Sequence, residues 1–510
     1  MGRGSVRVRS GKTPGPNQTL RRESCVSIGK GRQNRAKPPR STSARGILSL
    51  ICSQKDAGPP MTENTDPERN RFSARLGRTA KVGANLSGAG LTFAAQSLFG
   101  GEQGDERIAK ALAAALGKSK GPLMKVAQMV STIPDFLPAE YATELSQLQA
   151  EAPAMGWPFV KRRMRAELGP DWQDKFETFG KDAAHAASLG QVHKATLKDG
   201  RTVACKLQYP DMSSAVESDV GQLRTLLGVF KRMDGSLDPS EMVEEIADRL
   251  REELDYTREA KHMLLYAEML KDKDFVTVPQ LVPELSTDRL LTMEWVSGQR
   301  LTDFQDAPQE VRNTIASNLF WTWWGPMNAC AVIHGDTHLG NYQVTNDGQG
   351  LNLLDFGCIR IFPAKFVAGV VDLYRAVRAD DFDATYAAYE KWGFKGLNKD
   401  LVEVLNIWAR FIYGPLLEDR VRSVADGVKP GEYGRKEAFS VRQQLKEKGP
   451  VTIPREFVFM DRAAIGLGAA YLRLGAELNF HRLFEESLEG FTEEGVHARQ
   501  EAGLKQAGLV

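Results

Sequence analysis

The sequence predicts an α+β chain of two lobes, a small β-rich lobe followed by a large helical one, with a helical extension ahead of both. Three observations carry this. A change of hydrophobic period from helical to strand-like occurs near residue 181, the strand-rich segment runs to about residue 299, and helical periodicity dominates from there to the C-terminus. The 510 residues, 42% apolar and 26% charged, are enough to bury more than one core.

Residues 1–60 stand apart. They carry thirteen Lys or Arg against Glu23 and Asp56, a net of +11, which leaves −9 for the rest of a chain whose total is +2. Rich in Arg, Ser, Gly and Pro and without apolar periodicity, this leader is expected not to fold alone. It reads either as a transit-type presequence or as an over-extended reading frame whose start is Met61. The lack of an amphipathic face in the first forty residues favours Met61. The expected location is accordingly cytoplasmic, with peripheral contact to the inner membrane, or the mitochondrial matrix if the leader is a presequence. With the basic excess confined to the leader, a folded nucleic-acid-binding face is not expected. The five cysteines show no CxxC or Cys/His spacing, which argues against a zinc site or a disulfide framework.

Residues 61–180 read as helix after helix, including "LMKVAQMV" with its apolar face. Residues 181–299 then form the β-rich lobe. Two strand-like runs in "HAASLGQVHKATLKDGRTVACKLQYP" flank Asp199-Gly200, a strong hairpin signal. The second run ends on Lys206, a lone cation among apolar neighbours. A single long helix is expected over "SEMVEEIADRLREELDYTREAKHMLLYAEML", beginning near Ser240, with Asp255 and Glu259 on one face and Glu253 off it. A hairpin-like segment follows in "FVTVPQLVPELSTDRLLTMEWVSGQRL". Residues 300–510 form the helical lobe, in which "NLFWTWWGPMNACAVI" is too short and too interrupted to span a bilayer and reads as a buried helix and strand.

The order of strand lysine, helix glutamate, further strands, connector, helices and then "IHGDTHLGNYQVTNDGQGLNLLDFG" is that of a protein-kinase-like catalytic core. Asp336 and Asn341 have the D-x-x-x-x-N spacing that sets a base against the attacking group and an amide against a metal. Asp355, on "LLDFG" after an apolar run, can chelate Mg²⁺, or Mn²⁺, bridging nucleotide phosphates. Lys206 would neutralise the α- and β-phosphates of ATP. The kinase Gly-rich loop is missing.

Seven motifs in order, "KVAQMVS", "HAASLGQVHKA", "VACKLQYP", "EELDYTREA", "LLTMEWVSG", "HGDTHLGN" and "LLDFG", resemble the UbiB (AarF-like) family of atypical kinase-like ATPases, associated with ubiquinone and other isoprenoid-lipid metabolism. The resemblance spans about residues 98–491 and implies an Ala-rich nucleotide loop formed by Ala186, Ala187, Ser188, Gly190 and Gln191. It also implies Lys206 on the phosphates, Glu259 as its helix partner, and Met293 and Trp295 beside the nucleotide. Asp336 takes the catalytic-base position, and Asn341 and Asp355 the metal. Glu253 and Asp255 form the family's E-x-D pair, facing Lys125 and Gln128 of an extension that lies over the cleft and disfavours a protein substrate. Two departures stand out: Ala127 replaces the Gly of the K-x-G-Q signature, and His185 replaces the first Ala of A-A-A-S. An Ala-rich loop is stiffer than a Gly-rich one, because each Cβ excludes left-handed backbone.

The implied activity is Mg-ATP hydrolysis or small-molecule phosphorylation in support of quinone or lipid synthesis, with lipid or quinone-precursor partners and peripheral membrane contact through Gly90 to Gly101. The alternatives are a phosphotransferase of the aminoglycoside or choline kinase type, and a nucleotide-binding scaffold without turnover.

Overall fold

The computed structural model describes residues 154–187, 189–233, 240–449, 451 and 453–510. The extension motif with Lys125 and Gln128, the Gly90 to Gly101 stretch and Ser188 lie outside the described residues.

The small lobe is a five-stranded antiparallel sheet. Its strands are β1 (Phe176–Phe179), β2 (His185–Ala187), β3 (Gly190–Leu197), β4 (Thr202–Gln208) and, in the spatial order β1-β3-β4-β6 with β2 also paired to β3, β6 (Leu290–Glu294). The hairpin expected at Asp199-Gly200 joins β3 to β4: Gly200 has φ +86°, and the Asp199 carboxylate accepts from the Arg201 N–H at 3.0 Å. Strand alternation then decides which side chains meet. Ala195, Val203, Cys205 and Leu207 face outward, into a core closed by Val160 and Met164 of α1 (Trp157–Leu168) together with Trp172 and Phe176. Val192, Ala204, Lys206, Leu291 and Met293 take the opposite face by their pairing, so the lone cation of β4 points at the larger lobe.

The long helix expected from Ser240 is two helices. α2 (Met212–Met233) precedes α3 (Ser240–Glu252), and α4 (Tyr256–Met269) begins after a break at Glu253, Leu254 and Asp255. Asp255 caps α4, its carboxylate accepting from the Arg258 N–H at 2.8 Å. Asp255 and Glu259 therefore do not share a helical face. The Asp side chain competes for backbone donors and starts a new helix where periodicity alone extends the old one.

The hairpin-like segment also divides. β5 (Val276–Thr277) leaves the small lobe and pairs in parallel with β10 (Leu351–Leu353), in a four-stranded sheet ordered β5-β10-β9-β7 with β9 (Tyr342–Val344) and β7 (Gln299–Arg300). A two-stranded pair, β8 (Val332–His334) with β11 (Ile359–Ile361), completes the strands at the cleft. The rest is helical: α5 (Gln309–Cys330), α6 (Ala364–Ala379), α7 (Phe382–Trp392), α8 (Lys399–Leu417), α9 (Arg435–Lys448), α10 (Arg455–Leu474), α11 (Phe480–Ser487) and α12 (Glu493–Gln506). "NLFWTWWGPMNACAVI" is the buried second half of α5 running into β8, with Phe320, Trp323 and Met327 in the core. Among the described residues, no helix is long and apolar enough to cross a membrane.

Candidate active site

β4 delivers Lys206 into the space between the lobes. Its ammonium lies 2.6 Å from Glu259 Oε1 on α4 and 2.9 Å from Asp355 Oδ2. The Tyr256 ring stands 5.3 Å from the same nitrogen, which adds a cation–π contact. One cation thus serves two carboxylates. Burial opposes every charge here, but the two carboxylates hold the Lys206 ammonium protonated well above the ordinary lysine range. Asp355 is moved in the opposite sense from a buried acid: burial would raise it, yet Lys206 and the Gly357 N–H, 3.0 Å from Oδ1, hold its carboxyl well below the ordinary range. Glu259, fully enclosed and also facing the Asp355 carboxylate, is pushed up to about 7, with Lys206 resisting.

Asp336 lies on the loop after β8, half-buried, with its carboxylate accepting from the His338 N–H at 3.1 Å. Asn341 spends its amide N–H₂ on the Asp336 carbonyl at 3.3 Å, and its own carbonyl accepts from the Leu354 N–H at 3.0 Å. The D-x-x-x-x-N loop and the strand leading to Asp355 are therefore bonded to each other through main chain.

His334, quoted in the motif but given no role from sequence, sits between them. The Asp336 N–H donates to its Nδ1 at 3.3 Å, so the ring proton resides on Nε2, which donates to the Asp355 carbonyl at 2.7 Å. Trp323 Nε1 donates to the His334 carbonyl at 3.1 Å, and Tyr266, Tyr342 and Phe356 surround the ring. A second histidine supports the same turn from α4: His262 Nδ1 is 3.2 Å from the Phe356 carbonyl, and burial followed by the Arg258 charge lowers it to about 4. A third link was equally unforeseen. Glu252 at the end of α3 bridges Arg258 of α4 at 2.9 Å and Arg360 of β11 at 2.6 Å. Each uses common residue types whose partners lie far off in sequence, so no local pattern marks them.

The loop residues divide by environment. Ala186 and Ala187 sit on β2, the former exposed, opposite Gln191 and Gly190 of β3. Gly190 has its own steric reason: a Cβ there would lie 2.2 Å from the Leu207 carbonyl oxygen and 3.1 Å from the Tyr256 hydroxyl. The Gln191 side chain is committed elsewhere, accepting from the Met155 N–H at 2.7 Å and donating to the Met155 carbonyl at 3.2 Å, with His193 Nε2 at 2.7 Å. Only its backbone remains for a nucleotide. Met293 is buried beside Ala204 on the cleft face, and Trp295 follows it. The His185 ring, exposed, stacks on Trp295 at 5.9 Å, with the Lys194 ammonium 4.8 Å from the same indole. Glu253 is half-buried and Asp255 exposed at the break before α4.

The donors fit magnesium nucleotide. Mg²⁺ binds through one or two protein carboxylates plus substrate phosphates, and Asn341 and Asp355 are oxygen donors that could hold it, on two segments bonded through the Leu354 N–H. Among the described residues, no group of three or more His, Cys, Asp or Glu converges to hold a metal unaided.

Residues 147–388 match the ABC1 atypical kinase-like domain. The chain is 26% identical over 426 residues to atypical kinase COQ8, mitochondrial, of Saccharomyces cerevisiae, covering 81% of this chain and 85% of that one. It is 28% identical over 442 residues to atypical kinase coq-8, mitochondrial, of Caenorhabditis elegans (83% and 57% covered), and 30% identical over 341 residues to AarF domain-containing protein kinase 1 of Mus musculus (64% and 65%). It thus spans most of the yeast relative and under two thirds of the other two. Among solved structures, Rv3197 of Mycobacterium tuberculosis, determined in complex with erythromycin, shares 26% identity at a TM-score of 0.53, covering 80% of this chain and 98% of that one. The kinase-like core, the ordered motifs and these relatives agree: the chain carries an ABC1 atypical kinase-like domain, as its COQ8 and AarF domain-containing relatives suggest.

Proposed function

We propose that the protein is an atypical kinase-like ATPase that uses Mg-ATP in support of ubiquinone or other isoprenoid-lipid metabolism. The observation that carries this reading is the Lys206 ammonium held at 2.6 Å from Glu259 and 2.9 Å from Asp355, beside the Asp336 and Asn341 loop.

Bound Mg-ATP supplies the phosphoryl group and the metal that neutralises it. The chain supplies position and charge. Glu259 fixes the reach of Lys206, so that the ammonium meets the phosphates without an entropic search. Asp355 lies within reach of Lys206 here and, with Asn341, offers oxygen to the metal. Asp336 is aimed by two main-chain contacts, its own N–H on His334 and its carboxylate on the His338 N–H, and accepts a proton from the attacking water or hydroxyl. Met293 and Trp295 line the base side, and β2 with its two alanines closes over the phosphates in place of a glycine loop.

The resemblance would make Lys125 and Gln128, with Glu253 and Asp255, a gate against peptide hydroxyls, leaving water or a small lipid-like acceptor. The mitochondrial names of the yeast and worm relatives support the mitochondrial alternative for this chain. The test is ADP release by the full chain with ATP and Mg²⁺ or Mn²⁺, with and without anionic vesicles and quinone-precursor phenols. Metal-dependent turnover abolished by Asp336→Asn is expected; metal-dependent nucleotide binding without turnover would leave a scaffold.

A further inference from the structure

A half-open pocket of about 670 Å³ lies in the helical lobe, walled by α6 to α10 with Gly449, Val451 and Ile453, and shares no lining residue with the cleft. Its volume is that of a small-molecule pocket, about 300 to 1,000 Å³. Interiors normally close such space, because unfilled volume forfeits contacts at every wall atom. The wall here is aromatic and aliphatic, with Tyr389, Trp392, Trp408, Tyr413 and Phe457 among its residues.

Two polar groups break that wall. Among the described side chains, no cation reaches Asp461, on α10; its carboxylate accepts from Trp408 Nε1 at 2.5 Å. It is half-buried, but the space it faces is the cavity, so burial pushes its carboxyl up to about 7, with the Trp408 bond opposing. The Trp392 indole N–H, buried in the same wall, has no partner among the described residues. A hydrophobic chamber with one neutral-leaning carboxyl and one unused donor is built for an apolar body carrying a small uncharged head. A carboxylate head would meet Asp461 with no cation among the described lining side chains to offset it.

We propose that this cavity is a second binding site, taking a neutral hydrocarbon-chain amphiphile whose single hydroxyl bonds to Asp461. The site communicates with the cleft by position. Asp461 and Met460 of α10 face the cavity, while the next residue, Arg462, lies within the electrostatic reach of Asp336, and Gly466 packs so closely on Thr337 that a Cβ would fall 1.9 Å from its hydroxyl. An occupant bracing α10 thereby braces the loop that holds Asp336.

The test uses the full chain without nucleotide and three probes sharing one tail, 1-decanol below its solubility limit and decylamine and decanoate below their micellar concentrations. Decanol is expected to raise the melting temperature by several degrees, since a ligand selective for the folded state stabilises it, and the other two by less. Ala438→Phe, which fills the cavity from α9, should abolish the decanol shift while the ATP-induced shift persists; Val441→Trp serves the same purpose if the first variant does not fold. Asp461→Leu should at least halve the decanol shift. No decanol shift in the wild type, a shift surviving both filling variants, or a larger response to decylamine or decanoate would each overturn the proposal.

Discussion

Two half-buried aspartates, Asp355 and Asp461, have the same side chain and opposite fates. Asp355 meets an ammonium at 2.9 Å and a backbone N–H at 3.0 Å, and is held ionised far below the usual range. Asp461 meets one indole N–H and is pushed up to about 7. Burial acts on both in the same direction, so the difference is the cation. Enclosure alone makes an acid neutral; enclosure with a fixed positive partner makes a permanent anion suited to a metal. The first arrangement suits an uncharged ligand and the second a charged one, and the chain keeps them in separate regions of one lobe.

The comparison breaks most completely if the cation is removed. Lys206→Met leaves Glu259 and Asp355 facing each other without a counter-charge. Loss of one member of a buried ion pair costs about 3 to 5 kcal/mol, and loss of a charge-stabilising donor costs about 10² to 10³ in turnover. Both are measurable, by denaturant titration and by ADP release, and retained turnover would remove Lys206 from the phosphates. Asp355→Asn is the next largest. It keeps the shape and the Gly357 contact but removes the anion, so most of the Mg-ATP-induced rise in melting temperature should vanish; an unchanged rise would take Asp355 out of the site.

Gly190→Ala tests the frame around the charges. A Cβ 2.2 Å from the Leu207 carbonyl forces β3 away from β4, the strand that carries Lys206. Overpacking of this kind costs about 1 to 3 kcal/mol, read by thermal unfolding, and a neutral result would mean that the strands separate freely.

Asp461→Asn sharpens the other half. With its folded pKa about 7 against an ordinary value of 3.8, Asp461 holds a proton in the folded state that the unfolded chain has already lost. Its contribution to stability therefore falls as pH rises between about 4 and 7, and the penalty is complete above that window. The Asn variant escapes it, so its melting temperature relative to wild type should be level near pH 4 and climb to a positive difference by pH 8. Glu259 slopes the same way in both proteins, which is why the difference is the quantity to follow. A constant difference would mean that Asp461 titrates normally.

The smallest effect is expected from His185→Ala. Its ring is exposed and stacked on Trp295, a contact worth about 0.5 kcal/mol at an open site, so ATP affinity should move by no more than about threefold in a nucleotide titration.

Sequence made the cleft legible because its residues are few, chemically distinctive and ordered along the chain. Lys206 was visible as a cation on a strand whose alternation points it inward, and the Asp336, Asn341 and Asp355 spacing located the loop. What stayed hidden was decided by distance. In "REELDYTREA" Asp255 is a residue type favoured at helix starts, but helical periodicity runs on across it, so the segment reads as one helix although Asp255 caps a second. β5 looks like half of a local hairpin, yet its partner β10 lies some seventy positions away. Gln191 belongs to a loop motif, but Met155 claims its amide. The pocket in the helical lobe is the extreme case: five helices, each with an ordinary apolar face, line a space that none of them encodes alone.

His334 grips two main-chain atoms, the Asp336 N–H and the Asp355 carbonyl, and touches neither acidic side chain with its ring nitrogens. That clasp is indifferent to what the two positions carry. Replacing either aspartate by asparagine leaves the scaffold's pin in place, so a dead Asp336 or Asp355 variant reports lost chemistry instead of a collapsed loop. A His334 variant would do the reverse, keeping every reactive group while loosening the distance between them.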